Sequence, residues 1–474
     1  MDDDLAIEVP HETSREQNNI EDDQIRGWRG EPPVSSRRDP PTPVAGIQTS
    51  NRWHIVRVPS HVRVVDELAY TPKILSIGPI HHDAPSLKAM EAHKSRFLTR
   101  LQNEITSQNI LAEIKDAMTN LESEARKCYS EEFDHINSND FVQMLVLDAC
   151  FIVEFLRLHE KACKGEDVME PVFGTRWMLP VIGRDLLMLE NQLPMFVIRE
   201  IYNLTSFSAE SEQTPLVDLA LQLFETLRPF KDKLPSEISA SKRESDISHL
   251  LGLFQASFVL STDESSFGNI GRRRLNEYDR FPGKGRVNNA TRLNFAGISF
   301  CPQSDDNFLT FELEHQKLKI PTLLLDDGTS PLLRNLLAYE QSNRYAAPYF
   351  TSLAVFMDSI VDTAKDVDIL RNAGFIKQVK GGNDEIVDLL NSLTRELEFD
   401  INDCYYLSKP IHDINNFCRS FKARMLFSFR TVCSSLNFWQ VLLAYISLFQ
   451  TLAFVGSSGD KNNNSTLAPA PSPL

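Results

Sequence analysis

The segment FVQMLVLDACFIVEFLRLHEK, residues 141–161, carries apolar side chains around nearly the whole circumference of a helix. Such a helix must be buried on every face, because water disfavours exposed apolar surface. Only a large body can surround it, and 474 residues are enough to build one without disulfide or metal support. The chain is therefore predicted to fold around this helix.

Helical periodicity continues on both sides of the segment. Apolar residues follow one face of a helix after Ser86, which is placed to cap it, and residues 183–204 read as two helices broken around Pro194. Near 290–325, in TRLNFAGISF and FLTFELEHQKLKI, apolar and polar residues alternate as in a β-strand. The predicted fold class is mainly α with a small antiparallel β-sheet (α+β), a multi-helix globular body plus a C-terminal transmembrane helix.

Composition divides the chain into four parts. Residues 1–50 carry eleven acidic and five basic side chains and end in a proline-rich stretch, which predicts a disordered leader. Residues 51–435 are predicted to form the helical domain with its minor sheet. Residues 436–456 are predicted to be a transmembrane helix, and 457–474 a tail rich in Ser, Asn and Pro.

The segment LNFWQVLLAYISLFQTLAFVG, residues 436–456, has no charged residue. At ~1.5 Å per residue it spans about 30 Å, the thickness of the hydrocarbon layer. By the positive-inside rule, the basic residues before it predict a single-pass protein with a cytoplasmic body, in the plasma membrane or an endomembrane: Arg419, Lys422, Arg424 and Arg430. A buried amphipathic helix is the alternative, because the three amide side chains of the segment are costly in lipid.

Charge and cysteine content exclude several functional classes. The formal net charge of −16 argues against general nucleic-acid binding, because most of the surface would repel phosphate. The seven cysteines are scattered and include no CxxC pair, which predicts reduced thiols rather than a zinc ribbon or a disulfide framework. The first residues have neither the basic nor the apolar region of a secretory signal.

The acids within apolar segments are the first candidates for chemistry. The sequence contains no GxGxxG, P-loop, GxSxG or HExxH motif. Burial could separate the pKa values of two such acids as in a catalytic pair, but pairing with an arginine or a helix N-terminus is the more frequent arrangement. The acids are Asp148, Glu154, Asp185 and Glu190, and the arginines available to them are Arg157, Arg184 and Arg199.

Three histidines raise the question of a metal site. His81 and His82 are adjacent, Asp83 follows them, and His93 lies on the next predicted helix. Neighbouring side chains of an extended segment point in opposite directions, so both could bind one metal only if the backbone turned there. The sequence favours capping and packing roles. No catalytic, cofactor-binding or metal-binding residue is assigned, no cofactor is predicted, and His81, His82 and His93 remain the only metal candidates.

Several segments, taken in order, resemble one family of plant proteins. The family is the domain-of-unknown-function-247 family, also catalogued as an uncharacterised protein family, and the resemblance covers residues 54–455. The segments that carry it are VDELAYTPKILSIGPIHH, LVLDACFIVEFLR, DLLMLENQLPMFVI, LLRNLLAYEQ, YFTSLAVFMDSIVDTAKDVDIL and CYYL.

The resemblance implies a largely helical plant protein with one C-terminal membrane helix and no established activity or cofactor. Some family members are associated with pollen–stigma self-incompatibility in grasses, which implies recognition or signalling. The matching motif positions carry no agreed chemical role: Pro79, His81, His82, Glu190 and Asn191. Asp83 stands where the family usually has glycine.

Residues and resemblance together predict a membrane-anchored, cytosol-facing protein that works in recognition or signalling by binding other proteins. Its contacts would be the membrane, through the C-terminal helix, and protein partners whose identity the sequence does not specify; nucleic acid is not expected. The alternative is an unrecognised metal-dependent enzyme that uses His81, His82 and buried carboxylates. The sequence leaves enzymatic activity open and favours the binding protein.

Overall fold

The structure is a computed structural model that describes residues 54–105, 109–206, 213–230, 247–258, 286–302, 311–343, 346–378, 381–398, 407–434 and 436–459. The predicted disordered leader, and most of the predicted tail, lie outside the described residues.

Helices dominate the described chain, as predicted. The α-helices, in chain order, are α1 (Ser60–Arg63), α2 (Ala89–Glu104), α3 (Ile110–Lys127), α4 (Ser138–Cys163), α5 (Pro171–Gly174), α6 (Met178–Asp185), α7 (Met195–Leu204), α8 (Leu216–Phe224), α9 (Leu250–Ser257), α10 (Ala290–Ala296), α11 (Thr329–Ser342), α12 (Tyr349–Ile360), α13 (Ala364–Asn372), α14 (Asn383–Leu393), α15 (Ser408–Arg419), α16 (Phe421–Ser434) and α17 (Leu436–Gly459). Short 3₁₀ helices occupy Glu67–Tyr70, Pro85–Leu87 and Glu225–Leu227.

Helix α4 lies at the centre of the amino-terminal half. The Asn137 side chain caps it by accepting from the Asp140 N–H, and α2, α3, α7 and α8 pack around it. Nearly every side chain between Phe141 and Leu158 is buried, including polar Asp148 and Glu154. The prediction of a helix buried on all faces is confirmed.

The strands form two small sheets whose pairing differs from the prediction. β3 (Lys317–Ile320) lies between β1 (Ser299–Pro302), which runs parallel to it, and β2 (Glu312–Glu314), which runs antiparallel. β4 (Leu323–Leu325) pairs in parallel with β5 (Ile376–Gln378). The predicted single antiparallel sheet is therefore wrong. Alternation shows which residues favour a strand but not which strand will lie beside it or in which direction.

The first part of the predicted sheet region is helical. The Asn289 side chain accepts from the Arg292 N–H and so caps α10, and Gly297 ends the helix with a φ of +100°. A strong cap and a left-handed glycine outweigh the apolar alternation of the seven residues between them.

Two helix boundaries also differ from the prediction. Ser86 is not a cap: it lies inside the 3₁₀ turn that Pro85 begins, and α2 starts at Ala89 without a side-chain cap. Before Pro194 the chain is non-helical from Leu186 onward, whereas we expected helix up to that proline. The Asn191 and Gln192 side chains explain this difference, because they donate to backbone carbonyls of residues 185–188 that a continued helix would use.

Two helices end the described chain, and we call α16 and α17 the C-terminal pair. Predicted segment 436–456 lies within α17. Taken one at a time, no helix in the described ranges is both long and apolar enough to cross a bilayer. Phe421–Ser434 and Trp439–Leu452 together meet the length and composition requirements, with a bend of 74° between them.

Candidate functional site

The most recognisable sequence segments meet inside the amino-terminal half. We call residues 73–82 and 185–192 the junction. The Asp185 carboxylate accepts hydrogen bonds from the backbone N–H groups of Lys73, Ile74 and Leu75 at 2.9–3.0 Å. Burial raises the pKa of this carboxyl, and the three N–H donors oppose that rise. One side chain thus satisfies three donors of a segment that has no sheet or helix partner.

Two amides extend the same arrangement. Asn191 accepts from the Ile77 N–H at 2.7 Å and donates to the carbonyls of Leu75 and Asp185 at 2.9 Å. The Gln192 amide donates to the carbonyls of Leu186 and Met188. Asn191 of the LENQ motif therefore joins the two segments, and Gln192 stabilises the turn within the second segment.

The two segments approach each other closely at Gly78. Its N–H donates to the Asp148 carboxylate at 2.8 Å, and its φ is +71°. A Cβ at this position would lie 2.6 Å from the Gln192 carbonyl oxygen and 3.0 Å from the Tyr129 hydroxyl. Conformation and space both require glycine in SIGP.

Glu190 is buried at the edge of the junction. Its Oε1 accepts from the Val58 N–H at 2.6 Å and from the Arg63 guanidinium. Its Oε2 lies 3.4 Å from His81 Nε2 and 3.8 Å from Arg57 Nη1. Burial by itself would raise the pKa of Glu190, but these donors and the Arg63 charge outweigh burial and lower the pKa. The carboxylate is held ionised by its neighbours.

The other two histidines do not share this arrangement. His82 is partly exposed, and its N–H lies 3.4 Å from the Pro79 carbonyl oxygen. His93 is on α2 with a buried Nδ1. Across the described ranges, no group of three or more His, Cys, Asp or Glu side chains is placed to hold a metal ion. Of the three candidate histidines, the structure brings His81 to a carboxylate.

The prediction that buried acids pair with arginines holds for Glu154 and Glu190. Glu154 is 3.0 Å from Arg100 Nε, and Asp185 and Glu190 are bound as described above. Burial and the neighbouring Glu104 raise the pKa of Glu154 to about 7. Arg184 instead lies 2.9 Å from Asp326. Arg157, one of the arginines named from the sequence, opposes the rise in the pKa of Glu154 through its charge, and Arg100 adds a partner from another helix.

Lys94 is the residue that sequence reasoning missed. Its ammonium is fully buried, 2.6 Å from Asp148 Oδ1 and 2.6 Å from Glu91 Oε1. Burial alone would lower its pKa, but the carboxylates of Asp148 and Glu91 outweigh burial and raise it. A signal was present: Lys94 is four residues after Met90 and three before Phe97, so it falls on the apolar stripe of α2.

The thiols are free and mostly shielded. Among the described residues, the cysteines at 128, 150, 163, 301, 418 and 433 form no disulfide. Burial raises the pKa of Cys150 to about 12 and that of Cys128 to about 11. These two groups stay protonated near neutral pH, where a nucleophile would need a thiolate.

The chain that forms this junction is similar to known plant proteins over most of its length. The sequence profile of DUF247, described as "Plant protein of unknown function", matches residues 55–452. The chain belongs to this family. UPF0481 protein At3g47200 of Arabidopsis thaliana is 29% identical over 444 positions, covering 88% of this chain and 89% of the relative. Putative UPF0481 protein At3g02645 of the same plant is 23% identical over 441 positions, covering 77% and 82%. No solved structure matches the chain.

A further family segment, LLRNLLAYEQ, has the same kind of role in this member of the DUF247 family. Glu340 on α11 accepts from the N–H groups of Phe350 and Thr351, and so caps α12 from a separate helix. Burial raises the pKa of Glu340 to about 7, and these donors oppose the rise. Asn335 on the same helix accepts from the Leu189 N–H at 2.9 Å, which ties α11 to the junction.

The C-terminal pair presents a different surface in this family member. Large apolar side chains of α16 and α17 are exposed, among them Phe421 (80%), Tyr445 (71%) and Phe449 (74%). No acidic residue occurs between Asp413 and Asp460, whereas four basic residues do. An apolar surface of this extent is typical of a region that contacts a membrane or another protein.

Proposed function

We propose that this DUF247 protein is attached to a membrane by its C-terminal pair, keeps its body in the cytosol, and works by binding other proteins. The observation that carries the membrane part is the continuous exposed apolar surface of α17, with basic side chains before it and no acid within it. A bilayer would remove that surface from water and leave the basic residues of α15 and α16 at the headgroups.

The contacts at the junction support binding rather than catalysis. Asp185, Glu190 and Asn191, the polar residues a catalytic site would use, each accept from backbone N–H groups. A carboxylate that already accepts several hydrogen bonds is a weak general base, because binding a proton would break some of those hydrogen bonds. The contacts of these side chains fix the shape of the body, which suits a rigid binding surface.

Membrane attachment is tested on the full chain expressed in plant cells. We expect the wild type to stay with membranes after alkaline carbonate washing. The pair Leu443→Arg and Leu448→Arg should move it to the soluble fraction, because each arginine costs about 2.5–3.5 kcal/mol near the middle of a span. Leu68→Arg, at a 77% exposed side chain of the body, is the matched control and should leave fractionation unchanged. A wild type that fractionates as a soluble protein would contradict the proposal.

Protein binding is tested by proximity labelling with the same variants. The wild type and Leu68→Arg should label a reproducible set of proteins, and the double arginine variant should lose the members that reside in membranes. Failure to recover a reproducible set with either membrane-bound form would remove the protein-binding part while leaving the membrane part intact.

A further inference from the structure

A cleft of about 400 Å³ lies where α10 meets α15 and α16. The exposed side chains of Arg292 and Arg424 line it, together with the apolar side chains of Ala296, Ala423 and Phe427. None of the described side chains that line this cleft is acidic. It combines two cations with an apolar wall in a volume typical of small-ligand sites.

The charge environment of the two arginines differs from that of nearby Arg286. Within the described ranges neither Arg292 nor Arg424 forms an ion pair, whereas nearby Arg286 lies 3.3 Å from Asp358. The Asp366 carboxylate, which comes close to α10, is occupied by the Thr291 N–H at 2.7 Å. Two planar guanidinium groups are thus available for an anion whose oxygens accept paired hydrogen bonds from them, a carboxylate or a phosphate.

The walls of the cleft are held in place by packing. Arg430 on α16 donates to the Asn294 carbonyl of α10. The rings of Phe295 and Phe427 lie 6.2 Å apart, edge to face. A Cβ at Gly297 would lie 3.0 Å from the Leu426 side chain, so the two helices approach closely there. The cleft therefore belongs to the folded body and is not a gap beside a loosely attached helix.

We propose that this cleft binds the phosphate group of an anionic phospholipid in the cytoplasmic leaflet. Arg292 and Arg424 hold the phosphate oxygens, and the start of the lipid's apolar part lies against Ala296, Ala423 and Phe427. This inference rests on the proposed membrane attachment and adds to it the lipid class that the protein recognises.

The position of the cleft favours a lipid over a soluble anion. From Arg424 to Ser434, α16 rises roughly 15 Å, so the cleft lies on the helix that leads directly into the proposed membrane segment. The cytoplasmic leaflet carries anionic lipids, which attract basic side chains next to a membrane segment. A soluble phosphate would use the arginines but not the apolar wall.

The test uses the purified full chain in neutral detergent micelles. Phosphatidic acid is titrated in, and the thermal midpoint of unfolding is followed; phosphatidylcholine with the same acyl chains and inorganic phosphate are the comparison probes. A ligand that binds the folded state raises the midpoint as its concentration rises. We expect phosphatidic acid to raise it and the other two probes to leave it unchanged.

Charge-removing variants locate the binding. Arg292→Gln and Arg424→Gln should each weaken the apparent affinity for phosphatidic acid about tenfold or more, because charge-assisted hydrogen bonds to a phosphate are lost. Lys422→Gln is the matched control: it removes one charge from the same helix at a residue that does not line the cleft. It should leave the affinity within about twofold.

Three results would overturn the inference. They are equal stabilisation by inorganic phosphate, a loss with Lys422→Gln as large as with Arg424→Gln, and no effect of phosphatidic acid on a wild type that fractionates with membranes. A wild type that does not enter membranes at all fails the proposed function instead, which the carbonate fractionation above reports separately. If Arg292→Gln and Arg424→Gln stay with membranes but lose affinity for phosphatidic acid, the loss concerns the cleft and not membrane attachment.

Discussion

The junction and the C-terminal pair handle polarity in opposite ways. Against the junction, the charged side chains of Lys94 and Asp148 are completely buried, and they bind one another and the Gly78 N–H. In the C-terminal pair, large apolar side chains such as Phe421 and Phe449 face outward. Polar groups of the first region lose their hydrogen bonds to water on folding, and each must find a hydrogen-bond partner in the protein to offset that cost. For the second region, the membrane attachment proposed above would supply a less polar surrounding for these side chains.

The comparison separates two kinds of substitution. Changes at the junction should alter the free energy of unfolding and leave membrane partitioning alone. Changes on the outer face of α17 should do the reverse, since exposed positions contribute little to folding.

The largest effect is expected from breaking the buried ion pair. Lys94→Met should lower the free energy of unfolding by about 3–5 kcal/mol, because it leaves the Asp148 carboxylate buried without its cation. Urea unfolding of the full chain in detergent measures this change. Lys88→Met, at an exposed lysine just before α2, serves as control. If Lys94→Met were no more destabilising than the control, the pair would not be buried as described.

The second prediction concerns the carboxylate that binds three backbone donors. Asp185→Ala should lower the free energy of unfolding by about 3 kcal/mol, because three buried or half-buried N–H groups lose their acceptor. Asp185→Asn keeps one acceptor oxygen and should cost less. Asp83→Ala removes an exposed carboxylate of the same motif region and should change stability by less than about 0.5 kcal/mol. Equal values for Asp185→Ala and Asp83→Ala would contradict the described contacts.

These two sites also show what could be inferred before the fold was known. The all-round burial of α4 follows from its own residues, because a helix places every side chain at a known angle. The acceptors for residues 73–75 could not be inferred, because Asp185 lies 110 or more positions away and only the packed chain brings it there. The burial of Lys94 could be inferred from its place on the apolar stripe of α2, but the residues that it binds could not be inferred.

Strand pairing could not be predicted from nearby residues either, because the paired strands are far apart in the sequence. β4 pairs with β5 across three intervening helices, α11 to α13. Alternation identifies residues suited to a strand, but the neighbour is chosen by the way those helices pack on the sheet. The metal hypothesis for the histidines depended on the same missing information, since whether His81 meets His82 or Glu190 is set by Val58, Arg63 and the junction together.

The third prediction uses the raised pKa of Glu154. A pKa of about 7 in the folded chain, against an ordinary value of 4.5, means that the unfolded chain loses this proton at lower pH than the folded chain. Stability contributed by the protonated group is therefore full below about pH 4.5 and is lost as pH rises to about 7. Each pKa unit corresponds to about 1.4 kcal/mol, and allowing for the partly exposed Arg100 we expect a decline of about 2 kcal/mol.

Glu154→Gln should flatten that part of the pH profile, measured by urea unfolding across the same pH range. Glu113→Gln, at an exposed position of α3, is the control and should keep the wild-type slope. A profile that is unchanged in Glu154→Gln would mean that other groups, such as Glu340, set the slope.

The smallest effects are expected at the histidines with which the metal hypothesis began. His81→Ala should cost about 1 kcal/mol, because one contact to the Glu190 carboxylate is lost while Arg63 and the Val58 N–H remain. His82→Ala, at a partly exposed side chain, should change stability by less than about 0.5 kcal/mol. Elemental analysis of the purified full chain provides the decisive comparison: we expect no stoichiometric zinc, iron or manganese in wild type or variants. Stoichiometric metal in the wild type that is lost with His82→Ala would restore the metal-dependent enzyme and replace the packing role assigned to these residues.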